Sequence, residues 1–292
     1  MAEKIKRRWK DRKDGRYIRT LDPYHKFPPF VMKTKNDACN NFRDSIEVTE
    51  IEQYIRKKRA EGFPGLGMLH LFTAAYIRVA SRYPAINRFV SGQRVYARRN
   101  IELVMTIKSA LTLDAPETSI KVVFDFTDTI DDVYRKINAE VEKVKSTEAT
   151  STDDVAAILC KIPRVPLKFV MWLINLLDYF GKLPGIIMEA SPFHGSLIIT
   201  DLGSIGLPAI YHHLYNFGNL PLFCSLGAKR RVYEVRQDGS VAECKYLDYT
   251  IVMDERVCDG FHFSQIYRYL NSIFRNPAML DVPPSEIVPD VE

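Results

Sequence analysis

The chain of 292 residues is 46% hydrophobic and 26% charged, which is typical of a soluble globular protein that buries a sizeable core. Its five cysteines include no CxxC pair, and none stands with histidine at zinc-ligand spacing, which argues against a metal site. We expect reduced, mostly buried thiols in a cytoplasmic protein, with no signal peptide because the N-terminus lacks an apolar segment.

The positive charge is confined to the N-terminus. Residues 1–19 carry nine Lys/Arg against three Asp/Glu, whereas the remainder carries 32 against 33. The net charge of +5 therefore comes from the N-terminal arm and not from the rest of the chain. A basic arm can contact nucleic acid or an anionic membrane, but only Trp9 and Tyr17 stand beside the charges. We expect residues 1–19 to form an arm that is solvated or contacts another subunit, without contacts to nucleic acid or membrane. One domain at 20–282 and a tail at 283–292 are expected to follow.

The first elements of the domain are a strand, two helices and a hairpin. Residues 21–40 are rich in Pro and Asn and start irregularly, and alternation then indicates a strand at 42–48. Thr49 as N-cap and Gly62 as stop bound the first helix. The second helix ends before Pro84 and is apolar on nearly every side, which is typical of a central helix. A hairpin around Ser91-Gly92 follows.

The rest of the domain mixes strands and helices. Dense β-branched and aromatic residues, N-cap patterns and a hairpin signal at Asp238-Gly239 predict these elements: strands at 101–108 and 119–126; helices at 128–146, 152–160 and 166–181; strands at 195–200, 221–227, 231–236 and 245–253; and a helix at 262–275. Strands and helices in mixed order, with hairpins, predict an α/β fold, a two-layer sandwich with a mixed β-sheet.

One apolar segment raises the question of a membrane. Residues 165–188 read VPLKFVMWLINLLDYFGKLPGIIM and are interrupted by Lys168, Asp178 and Lys182, so the uninterrupted apolar part is too short to span a bilayer. We expect a helix packed against the domain, and an interfacial role stays open.

Three short segments together carry a functional signal. They are Glu255-x-x-x-Asp259-Gly260 within VCDGFHF, GSLIITDLGSIGLPAI at 195–210, and PLFCSLGAKR at 221–230. In order and spacing they resemble the catalytic domain of the dihydrolipoyl acyltransferases of 2-oxoacid dehydrogenase complexes, and the related chloramphenicol acetyltransferases. The resemblance covers roughly residues 15–282.

The resemblance implies a coenzyme-A-dependent acyltransferase fold that forms homotrimers with the active site between subunits. In that family a histidine removes the acceptor's proton, a serine or threonine of the neighbouring subunit donates to the oxyanion, and an aspartate orders the site. By position these roles fall to Glu255, Thr200 and Asp259. Arg16 or Arg19 is then expected to pair with Asp259.

The sequence departs from the family pattern at two positions. Glu255 replaces the histidine, and Asp201 replaces an asparagine. Proton transfer from a thiol to an ordinary glutamate is uphill by about 4 pKa units, or about 5–6 kcal/mol. Burial can raise the pKa of a glutamate and so make it a better base. Two hypotheses follow: Glu255 is an atypical base, or the chain is an inactive acyltransferase-fold protein that binds acyl-coenzyme A or a partner, or acts as a scaffold.

Other residues offer alternatives. His212 and His213 could supply a relocated base, although packing is the simpler role for each. Lys229, Arg230 and Arg231 could bind the phosphates of coenzyme A, and a solvated hairpin end explains them equally well.

We therefore expect acyl transfer between coenzyme A and a thiol, hydroxyl or amine acceptor, dihydrolipoyl among them. We expect no lipoyl domain in the chain itself, so a lipoyl group would come from a partner protein.

Overall fold

The computed structural model describes residues 8–108, 117–146 and 151–292. The first seven residues of the predicted basic arm lie outside the described residues. The strands are β1 Gly15–Tyr17, β2 Cys39–Glu47, β3 Arg88–Ser91, β4 Arg94–Arg98, β5 Ile101–Lys108, β6 Glu117–Phe124, β7 Leu197–Asp201, β8 Leu222–Val235 and β9 Val241–Asp254. The helices are α1 Pro23–Lys26, α2 Pro28–Val31, α3 Thr49–Ala60, α4 Met68–Arg82, α5 Ile130–Ser146, α6 Ser151–Cys160, α7 Arg164–Tyr179, α8 Gly185–Ala190 and α9 Gly260–Arg275.

A six-stranded mixed sheet forms the centre, in the order β2-β9-β8-β7-β5-β6. The pairs β5–β7 and β7–β8 are parallel, and the remaining pairs are antiparallel. A smaller sheet, β1-β4-β3, lies beside it. The mixed sheet with helices packed on one face confirms the predicted α/β architecture.

The main core lies between one face of the sheet and helices α3, α4, α5 and α9. Alternate residues of β8, Leu222, Cys224 and Leu226, point to this side, as the period of two in a strand requires. Helix α4 is the centre of the layer and packs against α5 and α9. All its residues except Leu69 and Arg82 are buried, which confirms the prediction of a central helix.

The opposite face of the sheet is covered by an irregular segment, residues 207–221, called the crossing segment below. Leu214 and Leu220 pack on Val104, Ile198 and Phe223 from the central strands. A hydroxyl of β9 holds the segment down, since Thr250 Oγ1 donates to the Ile210 carbonyl at 2.5 Å. The crossing segment thus runs over the strands that carry the predicted site residues.

Strand β8 differs from its prediction. The sequence suggests two strands, 221–227 and 231–236, whereas the structure has one continuous strand whose register against β9 shifts between Leu226 and Lys229. The shift accommodates Gly227 and Ala228, which interrupt the apolar alternation in the sequence.

A buried polar network fixes the N-terminal residues to α7. The Arg12 guanidinium donates from Nε to Asp14 Oδ1 at 2.9 Å, from Nη2 to Asp178 Oδ1 at 2.6 Å and from Nη1 to Ser91 Oγ at 2.8 Å. Burial works to raise the pKa of Asp178, but His194 Nε2 at 3.5 Å and the charge of Arg12 outweigh it and lower this pKa to about 2. Part of the predicted arm is therefore bound into the domain.

The C-terminal residues also pack on the body. Arg88 forms a two-pronged ion pair with Asp290, and the Val288 amide donates to the Ser81 carbonyl at 2.8 Å. Within the described residues, every helix is too short or too polar to cross a membrane.

Candidate functional site

Glu255 lies in the turn that joins β9 to α9, and its side chain is exposed. Its backbone amide donates to the Ala38 carbonyl at 2.9 Å, which fixes the turn against the start of β2. On either side, Asp254 and Arg256 form a buried pair, with Nε–Oδ1 and Nη2–Oδ2 distances of 2.8 and 2.6 Å. These bonds hold the backbone on both sides of Glu255, and no other described side chain bonds to its carboxylate.

Asp259 caps helix α9. Its Oδ1 accepts the His262 amide at 2.9 Å, and its Oδ2 lies 2.7 Å from His262 Nδ1 and 3.1 Å from His25 Nε2. Burial works to raise the pKa of Asp259, but these hydrogen bonds outweigh it and hold the pKa well below its ordinary value. A carboxylate at a helix N-terminus also gains from the helix dipole.

The predicted arginine partners of Asp259 are bound elsewhere. Arg16 donates to the Asp290 and Val291 carbonyls, and Arg19 donates to Asp11 Oδ1 at 3.0 Å. His25 takes the place expected of an arginine. The sequence carried only a weak signal for it, a single histidine in the helix start DPYHK.

Thr200 lies at the end of the parallel strand β7, opposite Ser225 of β8. The next residue, Asp201, turns the chain into a short 3-10 helix by accepting the Ser204 amide at 3.2 Å, and burial raises the pKa of Asp201. The turn packs closely on the register shift of β8, since a Cβ on Gly203 would stand 2.5 Å from the Gly227 carbonyl oxygen. This contact fixes the point along β7 at which the chain leaves the sheet after Thr200.

One chain does not bring Thr200 and Glu255 together. Thr200 is in register with Ser225, and Ser225 with Thr250, so Thr250 marks the level of Thr200 on β9. Glu255 follows five residues later, which at about 3.4 Å per residue places it roughly 17 Å further along the strand direction.

His212 lies on the crossing segment between these two levels. Its ring stacks on Phe223 at 4.1 Å with 9° between the planes, and its Nε2 is buried without a hydrogen-bond partner among the described residues. Burial, assisted by the neighbouring His213, lowers the pKa of His212, so the ring is neutral at neutral pH. His213 is exposed and contacts the edge of Tyr215 at 5.0 Å.

The basic cluster after β8 is already paired with carboxylates. Lys229 Nζ lies 2.6 Å from Glu52 Oε1, Arg230 Nε lies 3.1 Å from both oxygens of Asp248, and Arg231 Nη1 lies 3.2 Å from Glu243 Oε1. A phosphate at this cluster would compete with three carboxylates.

Lys35 is a buried cation that sequence reasoning missed. Its Nζ donates to the carbonyls of Tyr215, Phe217 and Gly218 at 2.8, 3.3 and 2.6 Å, and burial lowers its pKa to about 7. It thereby fixes the end of the crossing segment beside the Glu255 turn. Across the described residues, the histidine, cysteine and carboxylate side chains form no cluster of three that could hold a metal ion.

Solved acyltransferases share this arrangement of strands and helices. A probable dihydrolipoamide acetyltransferase from Listeria monocytogenes matches with a TM-score of 0.56 at 12% identity, over 88% of this chain and 93% of its own. The dihydrolipoamide acetyltransferase of Azotobacter vinelandii gives 0.56 at 14% identity over 83% of each chain. A chloramphenicol acetyltransferase gives 0.51 at 14% identity over 87% of this chain and 96% of its own. The chain has the acyltransferase fold.

The acyltransferase fold confirms the resemblance drawn from the three sequence segments. No protein-family model matches the sequence, and no curated protein matches it. In the Azotobacter vinelandii enzyme, a serine, a histidine and an asparagine have been investigated for their role in the catalytic mechanism.

Proposed function

We propose that the protein transfers an acyl group between coenzyme A and a thiol, hydroxyl or amine acceptor. The observation that carries this proposal is the junction of β9 and α9 on an acyltransferase fold: an exposed carboxylate, Glu255, followed four residues later by the helix cap Asp259. The histidine and asparagine of the Azotobacter vinelandii enzyme stand at the same spacing. Thr200, at the end of β7, supplies the hydroxyl that corresponds to the serine.

The site is completed by a second copy of the chain in a homotrimer. A base and an oxyanion donor must both lie within hydrogen-bond distance of the reacting groups, about 3 Å. Since Thr200 and Glu255 of one chain are roughly 17 Å apart along the strands, Thr200 of one subunit has to face Glu255 of the next.

The reaction follows from these positions. The base takes the proton of the acceptor, the acceptor attacks the thioester carbonyl, and the Thr200 hydroxyl donates to the oxyanion. When the intermediate collapses, the bond to sulfur breaks, and the protonated base returns its proton to the coenzyme A thiolate. Glu255 becomes a suitable base when the neighbouring subunit covers it, since burial raises the pKa of a carboxylate and makes it a stronger base. His212, neutral and with an unpartnered Nε2, is the second candidate.

One observation favours a second function. Glu255 is exposed and without a side-chain partner in the described chain, so nothing within one subunit prepares it for catalysis. An acyltransferase-fold protein that binds acyl-coenzyme A, or scaffolds a partner, would retain the Asp259 cap and need no base.

The acceptor of the first function, if it is dihydrolipoyl, is carried by a partner protein. Lys229, Arg230 and Arg231 are proposed to contact the phosphates of coenzyme A, which would displace the carboxylates that now pair with them.

Release of free coenzyme A tests both functions. Acetyl-, butyryl- and longer acyl-coenzyme A are offered with dihydrolipoamide, other thiols and amines. Glu255→Gln is compared with Glu286→Gln, which changes another exposed glutamate far along the chain. Loss of a general base lowers turnover by about 10²–10⁴-fold, so we expect this loss for Glu255→Gln alone.

The other results separate the alternatives. Turnover that survives Glu255→Gln but is lost in His212→Asn assigns the base to His212, and loss in His213→Asn assigns it to His213. Coenzyme A binding without turnover for any acceptor supports the binding protein and contradicts acyl transfer.

A further inference from the structure

Helix α7 exposes a continuous apolar stripe. Val165, Phe169, Trp172 and Leu176 recur at intervals of three and four, so they lie on one side of the helix. Val165 is 79% exposed, Phe169 62% and Trp172 56%. The opposite side of α7 holds the helix to the body, where Ile174 packs with Leu183 and Met188. The sequence favours a packed helix here, and the structure shows that only one face is packed.

The stripe continues beyond the helix. Phe180 and Ile186, in the turn after α7 and at the start of α8, are 64% and 78% exposed. The rings of Phe169 and Trp172 stack on each other at 5.6 Å, with 29° between the planes. A monomer rarely presents large apolar and aromatic side chains in such a row, and exposed patches of this kind mark contact surfaces.

The charges around the stripe have one sign. Lys161, Arg164, Lys168 and Lys182 are exposed, and the one acidic residue of 161–188, Asp178, is buried in its pair with Arg12. The next acid is Glu189 in α8. A basic rim around apolar and aromatic side chains is the pattern of a helix that lies in a membrane interface.

The basic N-terminus meets α7 at the end of the stripe. The Arg12–Asp178 pair joins the two segments, and Trp9, three residues before Arg12, is 82% exposed with Lys10 Nζ 4.2 Å from its ring centre. Residues 9–12 therefore enter the domain beside the C-terminal end of α7, and the residues that precede them in the sequence add further basic side chains.

We propose that α7 docks the protein on an anionic membrane surface, lying in the plane of the interface with its stripe in the acyl-chain boundary. An in-plane position agrees with the length of α7, which does not suffice to span a bilayer. A second copy of the chain that presents the same face fits the surface less well, because pairing two such faces would bring the basic rims together. Membrane docking is independent of the proposed acyl transfer.

The two tryptophans provide the reporter for a test. Trp9→Phe leaves Trp172 as the sole tryptophan of the full-length chain. This variant is mixed with vesicles of phosphatidylcholine alone, or of phosphatidylcholine with phosphatidylglycerol. We expect flotation with the anionic vesicles, a blue shift of Trp172 emission and quenching by brominated acyl chains.

Matched variants separate the apolar and the electrostatic contributions. Phe169→Ser with Leu176→Ser should weaken binding about tenfold or more for each side chain. Val235→Ser with Val241→Ser is the control, since these two exposed valines face each other in the β8–β9 hairpin. Arg164→Gln with Lys168→Gln should weaken binding by about 25-fold, at about fivefold for each charge near an anionic surface.

Three results would overturn the proposal. One is that neither kind of vesicle binds the protein. Another is an equal loss of binding in the hairpin control. The third is a stripe variant that changes the oligomeric mass in solution, which would assign the stripe to a contact between copies. Each result is scored without acyl transfer, so failure of the catalytic proposal leaves this test unaffected.

Discussion

Replacing Arg12 by methionine removes the centre of the buried network that joins the N-terminal residues to α7. The guanidinium contacts Asp14 through Nε, Asp178 through Nη2 and Ser91 through Nη1. The Asp14 and Asp178 side chains are only 3% and 11% exposed, so the substitution leaves two buried carboxylates without their cation.

The expected loss follows from these contacts. Breaking a buried ion pair by removing one partner typically costs about 3–5 kcal/mol, because the remaining charge is uncompensated. That is a large part of the about 5–15 kcal/mol by which a typical protein is stable. Arg12→Lys keeps the charge but not the planar fork, so its loss should be smaller.

The assay is urea unfolding followed by circular dichroism at one fixed protein concentration, because oligomers gain stability with concentration. Arg8→Met is the matched control: Arg8 lies 3.8 Å from Glu292, with both side chains mostly exposed, and such a pair contributes at most about 1 kcal/mol. Equal free energies of unfolding for Arg12→Met and Arg8→Met would refute the reasoning.

Two further predictions concern carboxylates. The folded pKa of Asp178, about 2, lies below the ordinary 3.8, so its contribution of roughly 2 kcal/mol is present above pH 3.8 and is lost as pH falls through 2. Urea midpoints measured from about pH 5 downwards should therefore fall less steeply in Asp178→Asn than in the parent, and an equal slope would contradict this. Asp259→Ala should lower the free energy of unfolding by about 1–2 kcal/mol, whereas Asp259→Asn, which still caps α9, should lower it less; the opposite order would show that capping is not the role of Asp259.

Local signals explain which elements could be predicted from the sequence. Helix α4 is apolar throughout and is followed by Pro84, so both its centrality and its end are readable. The helix predicted at 262–275 is α9, and it begins two residues earlier because Asp259 caps it. Two of the three motif segments are junctions, one after β7 and one between β9 and α9, whereas 221–230 lies within β8 and spans its register shift.

Long-range pairings account for what the sequence did not reveal. The partner of Arg12, Asp178, is 166 residues away, and the partner of Asp259, His25, is 234 residues away. No local rule connects such positions. The apolar composition of 165–188 predicted a packed helix, but not that one of its sides is left uncovered, because exposure depends on what the rest of the chain packs against it.

The connection between β6 and β7, residues 125–196, holds α5, α6, α7 and α8. Both of its ends are fixed by the same strand, since β5 pairs with β6 on one side and with β7 on the other. The entropic cost of closing a loop grows only with the logarithm of its length, by about 0.6 kcal/mol for each doubling. Additional helices can therefore accumulate in this connection while the sheet keeps its register. The fold can in this way gain, lose or exchange a contact surface during evolution without rebuilding the strands that hold its chemistry.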